Sequence, residues 1–582
     1  WPVVEDPENF AYIRPEGDGL MVGLFEGEPA PWGPIPDDFS FGEIQPDWDR
    51  VSPFLEAAMS RVPRTLEVGA KKLFCGPESF TPDGCPILGE APEVENLFVA
   101  AGLNSIGILT GGGVGHLMAS WVLDGEAPPE YDVTGVNIDR FQNFHATTKY
   151  LVPRSAETLG NVYKTHYPDK QPQTSRGVKC GPLHAELAEQ GAVFKEVSGW
   201  EGVDHFQSSR ESAEAYTDAR VYSFDRPKCW LQWKREHKLV REQAAFIDMS
   251  FMSKFKVLGK DAGRLLNYLC TSNVLGDETI TYTQFLNRDG RMEADVTVTK
   301  LGPEEFLVVA TDTMHRHVET HLRKHIHATG YNAVVVDVSG ALCQLNLQGP
   351  QSRETLQRVT PDDLSGEAFP FRCARRLEIG FANVLCTRIT YVGELGYEMF
   401  IPVEAAAHVY RTIRAASSEG VGHAGLRALG SLRMEKAYRD YGHDMDNTDA
   451  LLEVGLGFTA DFDKEGGFLG KDAVLEMKAQ KRASKRLLQV LALDPLIMLH
   501  HGDLLLRDGQ AVGELRCATY GHTLGGGVGL CMVEREEEGK PKNVTSSWLR
   551  EASWEIESAG RRCAARVSRK PLYDPDNHRI RL

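Results

Sequence analysis

The sequence predicts a multidomain α+β protein that ends in a small β-barrel, and three observations carry that expectation. At 582 residues the chain is longer than one hydrophobic core usually organises, so two to four domains are expected. A β-meander over residues 281 to 311 and a hairpin over residues 387 to 401 lie among segments of helical periodicity. The last hundred residues (LLQVLAL, GDLLLRDGQAVGELRCATY, GGGVGLCMVE) are short strands at regular spacing, the pattern of a barrel or sandwich.

Composition excludes several classes of partner. With 64 Lys+Arg against 82 Asp+Glu the formal charge is -18, which argues against nucleic acid or an anionic membrane surface. Eleven Cys without a CxxC pair favour a reducing compartment and give no zinc-ribbon pattern. No apolar run approaches the roughly 18 residues a membrane span needs, so no membrane insertion is expected. The opening WPVVEDPENF shows neither a charged nor an apolar targeting region, and the chain reads as a piece of a longer one.

In chain order, residues 10 to 27 read as two strands about a Pro-Glu-Gly-Asp-Gly turn, and residues 47 to 62 as a helix. Residues 96 to 101 form a short strand that runs into GLNSIGILTGGGVGHLMASWVLDG, read as a glycine-rich turn opening an apolar helix. Residues 125 to 235, richer in Pro, Tyr, Gln and Lys, read as a connector. Beyond it come strand-like FKVLG, a helix with Asp261 at its N-cap, the meander with turns at Asn287–Gly290 and Gly302–Glu304, the hairpin, and a helix at 425 to 439. GGGVG occurs at 111 to 115 and 525 to 529, but no repeat of fixed length links the two.

Several constellations could carry chemistry. On a strand, Asp295, Thr297 and Thr299 of GRMEADVTVTK share one face, where they form either a proton-accepting, heterocycle-orienting pair or the solvated side of the meander. In TYVGELGYEMF, Gly393 and Gly396 allow a tight turn that sets Tyr391 and Glu398 on adjoining strands, suited to the edge of a guanidine-like ring or simply a packed Tyr and an exposed Glu. His317, His321 and His325 repeat at helical spacing, but with Arg316, Arg323 and Lys324 beside them they read as a solvated face, and no metal site is expected. The run Gly111 to Gly115 is not a GxGxxG fingerprint, and KAQKRASKR (478 to 486) reads as a solvated helix end before a strand.

Taken together, these segments resemble the mitochondrial sarcosine and dimethylglycine dehydrogenases, flavoproteins joined to an aminomethyltransferase-like folate domain. FAYIRPEGDGLMVGLFE is similar to that family's substrate-domain hairpin, and residues 80 to 125 to the C-terminal flavin-contacting segment of its amine-oxidase-type FAD fold. CGPLHAELAEQGAVFKEVSGWE and KPLYDPDNHRIRL are closer to sarcosine dehydrogenase. The resemblance implies the C-terminal part of an FAD-dependent oxidoreductase domain at 1–130, a connector at 131–235, a folate-binding aminomethyltransferase domain at 236–480 and its C-terminal β-barrel at 481–582. It further implies FAD and tetrahydrofolate as cofactors, an N-methylated amino acid (sarcosine favoured) as substrate, electron-transfer flavoprotein as electron acceptor, and a mitochondrial matrix location.

Residue by residue, the resemblance places the folate-site carboxylate at Asp295, a ligand-contacting hydroxyl at Thr297, and the pterin-holding residues at Tyr391 and Glu398. Asn104, Ser105, Gly107 and Ile108 fall in the loop that passes the flavin ring. The family's GxGxxG half and flavin-linking His are not in this sequence, from which weak FAD retention is expected. ALGSLR stands where the glycine-cleavage enzyme has ARDSLR, so the folate-clamping Arg is Leu429 here. The same architecture belongs to a non-catalytic regulator of pyruvate dehydrogenase phosphatase, and the folate half alone to free-standing aminomethyltransferases. Tyr391 and Glu398 argue against the first, and the first 125 residues against the second.

Overall fold

The computed structural model describes residues 2–207, 222–276, 279–416, 421–480 and 484–582. The chain forms two compact units, one of Trp1–Gly125 with Val136–Arg176, the other of Glu126–Gly135 with Gly177–Leu582. The stretch read as a connector is therefore shared between them, and the middle of the basic run at 478 to 486 lies outside the described residues.

In the first unit, β1 (Val4–Asp6), β2 (Ala11–Glu16) and β3 (Gly19–Leu24) form an antiparallel sheet about the expected turn. Helix α1 (Trp48–Arg61) starts where Asp47 accepts from the Arg50 N–H at 3.0 Å, a side-chain N-cap. Strands β4 (Ile87–Glu90) and β5 (Phe98–Ala101) pair as a hairpin ahead of α2 (Gly107–Asp124), and α3 (Thr148–Gly160) follows. The glycine run is not the turn that opens α2. It lies inside the helix, which is held by buried Leu117, Met118 and Trp121, while the turn is made by residues 102 to 106.

The second unit contains the hairpin β6 (Ala192–Val197) and β7 (Trp200–Phe206), helix α4 (Trp230–Glu242), and two larger sheets. One sheet has the order β10-β11-β12-β9-β13, from β9 (Ser253–Leu258), β10 (Ile280–Leu286), β11 (Met292–Gly302), β12 (Glu305–Ala310) and β13 (Val334–Asp337). Helices α5 (Ala262–Leu269) and α6 (His315–Thr329) cover its outer face through Leu265, Leu266, Val318 and Leu322, which pack on Phe255, Val296, Val298 and Val308. Asp261 sits at the N-cap position, but its carboxylate accepts from Asn332 N–H rather than capping α5. The other sheet has the order β15-β16-β17-β14-β8-β18, from β8 (Ala245–Asp248), β14 (Leu342–Gln348), β15 (Ala374–Ile379), β16 (Ala382–Thr387), β17 (Gly396–Pro402) and β18 (Gly422–His423). Its outer face carries Leu345, Leu347, Tyr397 and Met399 into a second core.

Alternation along each strand sends the intervening residues inward. Leu307 and Val309 of the first sheet meet Leu385 and Phe400 of the second in one small apolar cluster, so the two inner faces look at each other. The expected helix after the hairpin is α7 (Leu426–Glu435), shorter than read because the chain turns at Lys436. The terminal strands close a barrel in the order β19-β22-β21-β20-β23-β24: β19 (Lys485–Ala492), β20 (Leu504–Arg507), β21 (Gln510–Gly521), β22 (Gly526–Glu534), β23 (Trp554–Ser558) and β24 (Arg561–Ser568). Leu488, Val490, Leu505, Leu515, Val533 and Ile556 fill it. Among the described residues no helix is long and apolar enough to cross a membrane.

One glycine sets the inner spacing. A Cβ on Gly396 would lie 1.9 Å from Gln348 Oε1 on the neighbouring strand. Gly396→Ala is expected to displace Gln348 and lower stability by about 1–3 kcal/mol, read as a reduced denaturant midpoint at unchanged m.

Candidate functional site

The meander turn fixes the register that places the first carboxylate. Asn287 Oδ1 accepts from the Asp289 and Arg291 N–H groups at 3.0 and 2.9 Å, and Gly290 takes φ +72. Gln284 then stands opposite Asp295, and Tyr282 opposite Thr297. Ala294, Val296 and Val298 enter the outer core, so Asp295 and Thr297 face inward. The side that could also be read as solvated thus belongs to the inner face that looks toward the second sheet.

Asp295 accepts two hydrogen bonds, from Gln284 Nε2 at 2.9 Å on Oδ1 and from Tyr282 Oη at 3.0 Å on Oδ2. Burial pushes its carboxyl up to about 7; the two hydrogen bonds oppose the rise and Asp440 adds to it. Tyr282 is itself held well above its ordinary range, by burial first and by Asp295 next.

Glu398 projects inward from β17, two residues before Phe400, opposite Asn346 of β14 and Thr387 of β16. Burial raises it to about 7, and Asn346 Nδ2, donating to Oε1 at 3.3 Å, is its hydrogen-bond partner. Tyr391 departs from the expectation. It lies in the loop between β16 and β17 rather than on a strand, because Thr390 Oγ1 accepts from the Val392 and Gly393 N–H groups and Gly393 takes φ +79. Its hydroxyl donates to the Arg439 carbonyl at 2.8 Å, and its ring stacks on Tyr438 with centroids 5.9 Å apart. Burial, then Asp440, raises Tyr391 well above its ordinary range, and Asp295 is among the charges it senses. The loop carrying Tyr438, Arg439 and Asp440 is tied down by the buried Arg433–Asp444 pair at 2.5 Å.

Tyr282, Asp295, Thr297, Tyr391 and Glu398 each keep some accessible surface rather than being fully buried. Buried oxygens without partners gather in the same inter-sheet layer: Thr299 Oγ1, Gln344 Oε1, Asn346 Oδ1 and Gln348 Oε1. Leaving such atoms unmet costs about 1–3 kcal/mol each, so this polar layer is held in place at a cost to the fold.

Sequence reasoning missed Tyr282, Gln284, Asn346 and Asp440. The first two were available from the hairpin register counted back from Gly290; Asn346 and Asp440 arrive from remote segments and carry no local signal. Leu429 packs with Trp230, Trp233 and Tyr520 in an apolar cluster that Tyr391 flanks, so the position supplies no charge.

In the first unit, Asn104 and Ser105 take φ +50 and +67 and turn the chain into α2. Asn104 Oδ1 accepts from Thr81 N–H at 2.9 Å, and Ser105 Oγ donates to Glu78 at 2.8 Å, so both side chains shape the loop. Ile108 is fully exposed and the first-turn N–H groups have no intrahelical acceptor, which fits a flat, acceptor-rich ring.

Two other clusters have plainer accounts. The histidine helix is not wholly solvated: His321 stacks on Phe285 with centroids 5.5 Å apart, and burial, then His325, depresses its basicity. Asp204, His205 and Cys229 bring ligand atoms within 4.8 Å of one another. Burial would raise Asp204, yet Arg427 at 3.0 Å and Lys195 at 3.7 Å hold it below the ordinary carboxylate range. Those cations already balance the carboxylate, so a divalent ion would add uncompensated charge. A surface cavity of about 510 Å³ beside Arg235, Lys238 and His423 contains none of the expected residues.

Two facing sheets with a polar inner layer, a closed barrel after them and a separate unit before them make up the architecture of an FAD-dependent oxidoreductase fused to a glycine-cleavage T-type domain. Family models agree: FAD dependent oxidoreductase over 1–121, its central domain over 126–181, the GCVT N-terminal domain over 183–464 and the glycine cleavage T-protein C-terminal barrel over 485–574. The chain belongs to the family of these fused FAD-dependent oxidoreductases. It is 37% identical, over its whole length and 68% of the relative, to 4-methylaminobutanoate oxidase (formaldehyde-forming) of Paenarthrobacter nicotinovorans. It is 33% identical, over its whole length and 66% of the relative, to mitochondrial sarcosine dehydrogenase of Mus musculus. The chain thus spans about two thirds of the length of these relatives. A crystal structure of glycine cleavage system aminomethyltransferase T from Bartonella henselae aligns with 69% of the chain and 99% of its own, with TM-score 0.55 and 21% identity, and shares the fold.

The raised carboxyls make stability pH-dependent. Because Asp295 and Glu398 keep their protons to about 7 in the fold but lose them near 4 when unfolded, their contribution is full at low pH and is lost as pH rises to 7 and beyond. Asp295→Asn and Glu398→Gln are each expected to raise Tm at pH 8 while changing it little at pH 5, as read by differential scanning calorimetry.

Proposed function

We propose that this protein takes part in FAD-dependent oxidative demethylation of an N-methylated amino acid, sarcosine favoured, and passes the carbon to tetrahydrofolate as 5,10-methylenetetrahydrofolate. The observation that carries the folate half is the inter-sheet layer, where Asp295 and Glu398 sit among unpartnered acceptor oxygens. A pterin ring presents paired N–H groups on one edge, and the two carboxylate oxygens of Glu398 are acceptors for them. Tyr391 and Thr297 complete the walls.

Asn104, Ser105, Gly107 and Ile108 would hold FAD, which when bound would supply the hydride acceptor for the N-methyl carbon. The resulting iminium is open to water, which would yield formaldehyde and the demethylated amine, or to folate: one folate nitrogen forms an N–C bond and loses a proton, the carbon–amine bond then breaks as the demethylated amine leaves carrying the protons released, and the second folate nitrogen closes on the same carbon. Asp295, with its carboxyl raised to about 7, takes that proton at Oδ1, the oxygen that faces Gln284. Carrying the acceptor on the same chain raises its effective concentration over free diffusion. Family resemblance supplies the remaining assignments, electron-transfer flavoprotein as electron acceptor and the mitochondrial matrix as compartment; the mouse relative is named as mitochondrial.

Asp295→Ala is expected to preserve amine oxidation while shifting product from methylene-folate to formaldehyde; an unchanged methylene-folate yield would remove Asp295 from this role. Glu398→Ala is expected to weaken binding of 5-formyltetrahydrofolate about tenfold or more, measured by titration calorimetry. If both variants behave as the parent and release only formaldehyde, the 4-methylaminobutanoate oxidase pattern applies instead.

A further inference from the structure

Behind Asp295 lies a layer of hydrogen bonds that the proposed reaction has not used. Gln284 is fully buried and donates from Nε2 to Asp295 Oδ1 at 2.9 Å. Its Oε1 accepts from Thr459 Oγ1 at 2.5 Å, and the same hydroxyl lies 2.7 Å from the Leu456 carbonyl oxygen. A hydroxyl has one hydrogen, so Thr459 can satisfy one of these acceptors at a time. Thr271 Oγ1 stands 3.4 Å from both Gln284 Oε1 and Thr459 Oγ1, and Tyr282 Oη occupies the other oxygen of Asp295.

Two complete arrangements follow. With Asp295 ionised, Gln284 N–H donates to Oδ1 and the Thr459 hydroxyl donates to Gln284 Oε1. With a proton on Oδ1, the amide turned over accepts it on Oε1, its N–H donates to Thr459 Oγ1, and the Thr459 hydrogen goes to Leu456. No buried polar atom loses its partner in either state, which is what a carboxyl that must gain and release a proton away from water requires. We propose that Gln284, backed by Thr459, is the positioning residue for Asp295, and that its amide turns over with the protonation state of that carboxyl. This rests on the reading of Asp295 as proton acceptor.

The test is the pH profile of methylene-folate formation, measured with tetrahydrofolate and sarcosine on the full-length, FAD-loaded protein. Asp295 acts when ionised, so formation rises with pH. Gln284→Met removes both arrangements, and because the N–H bond to the charged carboxylate is stronger than the one the turned amide accepts from the neutral acid, it is expected to move the half-rise upward by about one pH unit, tenfold at a fixed pH on the rising limb, with the high-pH plateau and KM retained. Gln284→Glu, of the same shape, sets a second carboxyl beside the first and is expected to move it further. A purely structural role would lower the plateau without moving the midpoint. Asp295→Asn separates the two claims. If it keeps the parental profile, the reading of Asp295 fails; if it abolishes the rise while neither Gln284 variant shifts the midpoint, the inference about Gln284 is overturned alone.

Discussion

Two sheets that face each other would ordinarily fill the space between them with apolar side chains. Here Leu307, Val309, Leu385 and Phe400 do so over one short patch, after which the inward positions become Asp295, Thr297, Glu398, Asn346 and Gln344. Burying such groups costs free energy unless each is paired. The rest of the second unit is organised around that constraint: Gln284 and Tyr282 brace one carboxylate, Asn346 braces the other, and the loop after α7 brings Arg439 and Asp440 alongside.

The outer cores support this polar interior. Aliphatic and aromatic residues on the outward faces of both sheets pack under helices, and those cores hold the strands in register whatever the inner faces contain. The inner residues are therefore free to be chosen for chemistry. Their raised carboxyls oppose stability at neutral pH, as expected where a site departs from the rules that govern the surrounding core.

Much of this was legible in the sequence. The period-2 pattern of GRMEADVTV set Asp295 and Thr297 on one face, the Asn287–Gly290 turn gave the hairpin, and even strand spacing gave the terminal barrel. Other features were not legible. Tyr391 was placed on a strand because TYVGELGYEMF alternates, whereas Thr390 and Gly393 fold that stretch into a loop and leave Glu398 alone in the sheet. The glycine run looked like a turn because glycine usually breaks helices, yet Leu117, Met118 and Trp121 bury enough surface to keep it helical.

Local pattern by itself determined which residues share a face, where turns fall and which unit is a barrel, because these depend on neighbours within a few positions. What covers a face depends on segments hundreds of residues away. Only the tertiary structure decided that the Asp295 face is interior, that Asn346 stands against Glu398, and that Thr459 reaches Gln284. Burial and hydrogen-bond partnership, which set the proton affinity of a carboxylate, belong to the assembled fold and not to any stretch of chain.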